Sequence, residues 1–299
     1  VEAVNQVPTF ARNKTGTLIV NPRKLDVQYF ALGPDAPNNP VVVGAGVNSP
    51  PITFTVSQDG PFEAFYLSSF RRDTGSDETA HTGDILVVIN DEAAKVDLMN
   101  RECHIDTIFG YTIAGAGIGP YHLPESLFVH ATRALYMRFR NASLTGADIY
   151  PLVHGTRWYG YANPAKSMAV SVEKRAARAR ISTPYFLTTD VALSLLASGV
   201  NNNVLFTVTA EAHFEAFKSS YVADHDFTIR WFDPRNGRAM SNTPTHCRAS
   251  IGRAALPFPF PERTLFRANS QLRAEVVNLS TVAANNIYLT LGGRKVYVA

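Results

Sequence analysis

The chain has 299 residues, 45% of them hydrophobic and 18% charged, with 28 Lys+Arg against 25 Asp+Glu for a net charge of +3. That composition excludes global disorder, no apolar run reaches the roughly 18 residues of a membrane-crossing helix, and two cysteines cannot build a disulfide framework. The charge is uneven: residues 1–160 carry 12 Lys+Arg against 16 Asp+Glu, a net −4, whereas residues 161–299 carry 16 against 9, a net +7.

In chain order, residues 1–21 hold little pattern beyond LIV and are read as an N-terminal arm or an added edge strand. They lack the basic start and apolar block of a signal peptide. A protein outside the secretory route, with Cys103 and Cys247 as free thiols, is therefore expected. From residue 22 onward, runs of alternating apolar residues predict strands with one buried face. Ile52, Phe54 and Val56 alternate, then Ile85, Val87 and Ile89, then Leu135, Met137 and Phe139, then Ile149 and Val153. Gly, Pro, Asn and Asp gather between the runs, as turns require.

The pattern then starts again. ITFTVSQDGPFEAFYLSSF (52–70) aligns without gaps on VLFTVTAEAHFEAFKSSYV (204–222), an offset of 152. GDILVVIND (83–91) meets HDFTIRWFD (225–233), LPESLFVHATRALYMRFRNAS (123–143) meets FPERTLFRANSQLRAEVVNLS (260–280), and IYPLVHGTRWY (149–159) meets IYLTLGGRKVY (287–297). Upstream, QYF ending at Phe30 is matched to PYF ending at Phe186. The offset changes only between blocks, where loops absorb insertions, so the chain is a tandem duplication. Copy one is assigned to 22–159, a connector to 160–177 and copy two to 178–299. DVALSLLAS (190–198) is read as a short helix or another strand. The fold class expected is all-β: two tandem antiparallel β-sandwiches, with a jelly-roll arrangement fitting and strand order left open.

No catalytic or cofactor motif emerges. GxSxG, GxxxxGK[ST] and HExxH are absent, and GAGIG (115–119) lacks the strand-to-helix setting of a dinucleotide loop. A cupin-type metal cage would need an HxH pair, and no two of the eight histidines are spaced so. Only His104 and His246 align between the copies, and both are read as hydrogen-bonded structural residues. Glu63 and Glu215, repeated within FEAF, belong to different copies and are read as facing solvent or satisfying a sheet edge. Asn141-Ala-Ser and Asn278-Leu-Ser match the glycosylation pattern, but their alignment argues for a shared turn. No cofactor, metal or catalytic residue is expected, and the chain is read as non-enzymatic. An acidic loop (Asp73, Asp77, Glu78) and a basic cluster (Lys174, Arg175, Arg178, Arg180) are the candidate subunit contacts. The cluster has no interleaved aromatics, so nucleic acid is not the expected partner.

The ordered blocks PFEAFYLSS, LMNRECHIDTIFG, PYHLPESLF, LYMRFRNAS and IYPLVHGTRWY resemble a group of tailed-bacteriophage virion structural proteins. Copy two departs from the pattern, LMNR becoming AMSN and PYHLP becoming PFPFP. The resemblance implies a structural role in a virion assembled in the host cytoplasm: a collar or neck ring, a head decoration or a tail sleeve. The partners it implies are copies of the chain itself and portal, capsid or tail components, without a membrane. A head-to-tail contact of acidic copy one with basic copy two would add electrostatic complementarity. Two other readings stand beside it: a glycan-binding virion module using Tyr111, Tyr121, Trp158, Tyr159 and Tyr161, and a bicupin-like metal enzyme.

Overall fold

The structure is a computed structural model that describes residues 10–12, 18–20, 26–38, 40–75, 83–91, 96–111, 119–159, 182–234, 237–253 and 256–297. β1 (Phe10–Arg12) and β2 (Leu18–Val20) pair antiparallel with each other. Copy one follows as β3 (Asp26–Leu32), β4 (Val41–Val43), β5 (Ile52–Thr55), β6 (Phe62–Asp73), β7 (Ile85–Asp91), β8 (Val96–Asp97) and β9 (Cys103–His104). A single helical turn, α1 (Ile105–Ile108), leads to β10 (Gly110–Tyr111), β11 (Tyr121–Val129), β12 (Ala134–Asn141) and β13 (Ala147–Tyr159). Copy two comprises β14 (Ser182–Thr188), β15 (Leu193–Leu195), β16 (Val200–Thr207), β17 (His213–Ala223), β18 (Phe227–Phe232), β19 (Thr245–His246), the turn α2 (Cys247–Ser250), β20 (Phe258–Phe266), β21 (Gln271–Asn278) and β22 (Asn285–Val296).

The pairings are those of a jelly roll, repeated. In copy one, β3-β13-β6-β11 form one sheet and β5-β12-β7-β9 the other. In copy two, β14-β22-β17-β20 and β16-β21-β18-β19 take the same places. Counting the eight main strands of each copy from first to eighth, both read 1-8-3-6 against 2-7-4-5, two Greek keys closed on one core. The residues between the sheets are the alternating ones. Ile52, Phe54, Ile85, Val87, Ile89, Leu135, Met137 and Phe139 are buried in copy one, and Val204, Phe206, Phe227, Ile229, Leu272, Ala274 and Val276 in copy two.

Polar residues fix the same turns twice. Asn141 donates to the carbonyls of Val43 and Thr145, while its own oxygen accepts the N–H of Ser143 at 2.9 Å. Asn278 does the same with Leu196, Ala283 and Ser280. Both glycosylation-like asparagines are therefore buried turn-formers. Asp35 holds the N–H and hydroxyl of Thr55, as Asp190 holds those of Thr207.

Each FEAF motif carries a β-bulge. Phe65 is the extra residue between the pairs Tyr66↔His154 and Ala64↔Gly155, and Phe217 the extra one between Lys218↔Gly292 and Ala216↔Gly293. Gly155 and Gly293 face the bulge because a Cβ there would meet the carbonyl oxygen of Glu63 or Glu215.

One sequence reading is resolved and one shifts. Asp190 and β15 occupy the places of Asp35 and β4, so 193–195 is a strand. The first strand also slips by one. Leu32 pairs with Val153 and Leu187 with Leu291, so Tyr185, not Phe186, is the counterpart of Phe30. Both pack on the matching Phe62 and Phe214. The connector assigned to 160–177 lies outside the described residues.

Candidate functional site: the junction between the two sandwiches

Among the described residues, a dense cluster of polar and aromatic side chains lies where copy one meets copy two. It starts from the turn CHIDTIF (103–109). His104 caps α1: its Nδ1 accepts the N–H of Asp106 at 3.2 Å, so the proton resides on Nε2, which donates to Asp84 at 3.3 Å. The Tyr288 hydroxyl, from copy two, donates to the other oxygen of Asp84 at 2.9 Å, and its ring packs 4.7 Å from that of His104. The His104 N–H, the Tyr288 hydroxyl and the nearby Arg71 guanidinium hold the Asp84 carboxyl below its ordinary pKa despite partial burial. Arg71 reaches Asp106 with both carboxylate oxygens within 2.8 Å, fixing the turn from the strand below.

From this turn outward a series of hydrogen bonds crosses the junction, while the buried Tyr121 hydroxyl finds no partner among the described residues. Ser220 donates to the carbonyl of Thr107 at 2.7 Å, and the hydroxyls of Thr107 and Thr290 are 2.8 Å apart. Asn100 exchanges two hydrogen bonds with the backbone of Thr188, and Arg101 donates to the carbonyls of Thr189 and Asp190. Tyr121 inserts against Phe186, and Lys218 lies 4.1 Å over the Tyr121 ring while donating to the carbonyl of His122. Arg294 bridges Glu215 at 2.5 Å and Glu125 at 3.4 Å. Phe186 belongs to the hydrophobic cluster of copy one although its strand belongs to copy two. Burial drives the Lys218 ammonium down to about 8 and the Cys103 thiol up to about 12. At neutral pH Cys103 is therefore a protonated, apolar filler.

Asp226 and His246 repeat the cap in copy two, His246 accepting the N–H of Arg248 at 3.3 Å. Among the described residues, Asp226, His246 and Cys247 are a group of three whose ligand atoms lie within 4.8 Å of one another. The geometry fits a structural cap better than a metal. Arg248 binds Asp226 at 2.8 Å, and copy one builds the same Asp–His cap with Ile105 in place of the thiol.

On the outer face of copy one, Ser68 and His154 Nε2 are 2.5 Å apart, and Tyr29 is 2.7 Å from His154 Nδ1. Burial lowers the His154 pKa, keeping the ring neutral. The trio has the contacts of a nucleophile–base pair but sits on an open sheet face, Tyr29 being 70% exposed. A cleft of about 800 Å³ opens beside α2, lined by Tyr221, Ile251, Leu256, Pro257 and Phe258.

The expected contact residues fare unevenly. Asp73 ends β6, opposite Ala147. Asp77, Glu78, Lys174, Arg175, Arg178 and Arg180 lie outside the described residues. Glu63, expected at solvent or a sheet edge, is buried and accepts from Ser126 at 2.8 Å. Tyr121 and Trp158, considered as exposed glycan platforms, are buried. The side chains of Tyr111, Tyr159 and Tyr161 lie outside the description. Sequence reasoning passed over Ser220, Tyr288 and Lys218. For the first two a signal existed, since Ser68/Ser220 and Tyr150/Tyr288 are identical pairs on the outward side of repeated strands. No helix among the described residues is long and apolar enough to cross a membrane.

No family model and no curated protein matches the chain. Solved structures similar to it include PNGase F, a glycosylasparaginase from Flavobacterium meningosepticum, at 10% identity and a TM-score of 0.38, covering 91% of this chain and 96% of that one. The major capsid protein P2 of bacteriophage PM2 is similar at 9% identity and a TM-score of 0.43, covering 91% and 98%. A triple-jelly-roll protein of an archaeal virus follows at 10% identity and a TM-score of 0.24, covering 92% and 60%. Likenesses at this level assign neither a family nor an activity. They do correct one expectation: with a glycosylasparaginase among the similar structures, reading the chain as non-enzymatic is not retained. An all-β frame without a recognisable motif does not exclude catalysis, because sites are grafted onto folds.

Proposed function

We propose that the chain is a structural protein of a virion, each molecule a two-sandwich block that assembles with copies of itself in a collar, neck, head-surface or tail layer. The observation that carries this reading is the junction. Two jelly rolls from one duplication are locked by charge-assisted and neutral hydrogen bonds, ring contacts and a shared apolar cluster, with Phe186 of one buried in the core of the other. Such a block holds its outer faces at a fixed mutual angle, which a symmetric shell or ring requires of its parts. The polar residues that recur in both copies — Asp35/Asp190, Asn141/Asn278, Asp84/Asp226 and His104/His246 — hold turns and caps, so the duplication preserved rigidity. The −4 and +7 halves supply unlike surfaces for head-to-tail contact.

The test is direct. Antibody labelling of purified particles should place the chain on the virion at a stoichiometry set by particle symmetry, and native mass spectrometry of the purified protein should show discrete multimers. A strict monomer at micromolar concentration that is absent from washed particles would overturn the proposal.

A further inference from the structure

Both halves of the contact that joins the copies are duplicated, and among the described residues only one of the two resulting pairs is used. The docking half is α1 with the start of β11; its counterpart in copy two is α2 with the start of β20. The receiving half is the outer face of β14, β17 and β22; its counterpart in copy one is the outer face of β3, β6 and β13. The central residues recur: Asp84, His104, Ser220 and Tyr288 have Asp226, His246, Ser68 and Tyr150 as equivalents. Burial does not recur. The His104 side chain is 2% exposed and that of His246 42%. Tyr121 is 1% exposed and its equivalent Phe258, which lines the cleft beside α2, 38%. On the receiving side Lys218 is covered and its equivalent Tyr66 is exposed, and Phe186 is covered where Ala31 is exposed.

We infer that α2 and the start of β20 dock onto the outer face of β3, β6 and β13 of a second copy of this chain, repeating between chains the contact that joins the copies within one. The inference rests on the proposed role as a self-assembling block and names the surfaces. In the docked pair the Tyr150 hydroxyl donates to Asp226 of the neighbouring chain and its ring lies against that chain's His246, as Tyr288 does with Asp84 and His104. Ser68, bonded to His154 within one chain, turns to the carbonyl of the neighbouring Ala249, as Ser220 does to Thr107. Phe258 covers Ala31, which is small where copy two carries the phenyl ring of Phe186. A polar centre of matched donors and acceptors with an aromatic anchor is the composition of a specific protein interface. The charges agree in sign: α2 brings Arg248 to the acidic copy, where α1 has Asp106.

The experiment mixes two full-length variants, each with one added surface cysteine, Tyr150→Cys and His246→Cys, with a short bis-maleimide; wild type, whose two thiols are buried, is the control. Only the mixture should give a cross-linked dimer, joined 150 to 246, and Phe258→Asp introduced into the His246→Cys chain should lower its yield at least tenfold. Native mass spectrometry on the same samples separates the two ways of failing. Multimers that form without the 150–246 link, or that link 150 to 150, overturn this interface while leaving self-assembly standing. A wild type that stays monomeric overturns both.

Discussion

Lys218 offers a quantitative test of the junction. Its ammonium is taken from water between Tyr121 and the carbonyl of His122, with no carboxylate among its described partners, so its pKa falls from 10.5 to about 8. The sign follows from linkage. Between pH 8 and 10.5 the unfolded chain binds a proton that the folded one has released, so stability rises with pH across that window. At about 1.4 kcal/mol per pK unit, the contribution grows by about 2.5 kcal/mol from pH 7 to pH 10. Lys218→Met keeps the aliphatic stem and removes the titration. Urea unfolding of both proteins at pH 7, 8, 9 and 10 should therefore show the wild type gaining on the variant by about that amount. Tyrosine and thiol ionisation in the unfolded chain opposes the trend in both proteins and cancels in the difference. Parallel stability profiles across the range would mean that Lys218 is solvated and that the two sandwiches do not close over it.

Three further outcomes follow from local geometry. Gly293→Ala places a Cβ against the carbonyl of Glu215 and 2.6 Å from the Phe214 ring, so denaturation should show a loss of about 2–4 kcal/mol, while Gly119→Ala, with open space around it, should cost under about 1 kcal/mol. Thr132 sits in a left-handed turn at φ 64°, a conformation that its counterpart Asn269 adopts at 59°; Thr132→Asn should stabilise by about 1 kcal/mol, read as a rise of a few degrees in Tm. Asn278→Ala strands two carbonyls and the N–H of Ser280 and should cost about 2–3 kcal/mol in chemical denaturation.

Fold class was legible because the duplication wrote each strand pattern twice, and a period of two shared by two blocks is hard to mistake. The first strand was not. QYF and PYF each end in adjacent aromatics, so identity alone favours a match that the ladder places one residue away, and a one-residue slip exchanges the two faces of a strand. That slip hid Phe186 as an outward anchor. DVALSLLAS was ambiguous because Val191, Leu193, Leu195 and Leu196 in one short run suit helix and strand alike; the side chain of Asp190, clamping Thr207, decides the matter in three dimensions. The junction was illegible for a different reason. His104 reads as a hydrogen-bonded structural residue, but the Asp84 it bonds is also held by Tyr288, 204 residues further along the chain, and no spacing rule connects them.

The bulge at Phe65 and Phe217 acts as a phase switch. Before it the even-numbered residues of β6 point to the core, Phe62 and Ala64; after it the odd ones do, Leu67, Ser69 and Arg71. β17 changes step in the same way, from Phe214 and Ala216 to Ser219 and Tyr221. Remove the extra residue and the far half of each strand rolls over, driving Lys218 and Ser220 into an apolar core and turning Tyr221 outward. One residue thus sets the polarity of an entire face, so these strands can drift in side chain but not in length.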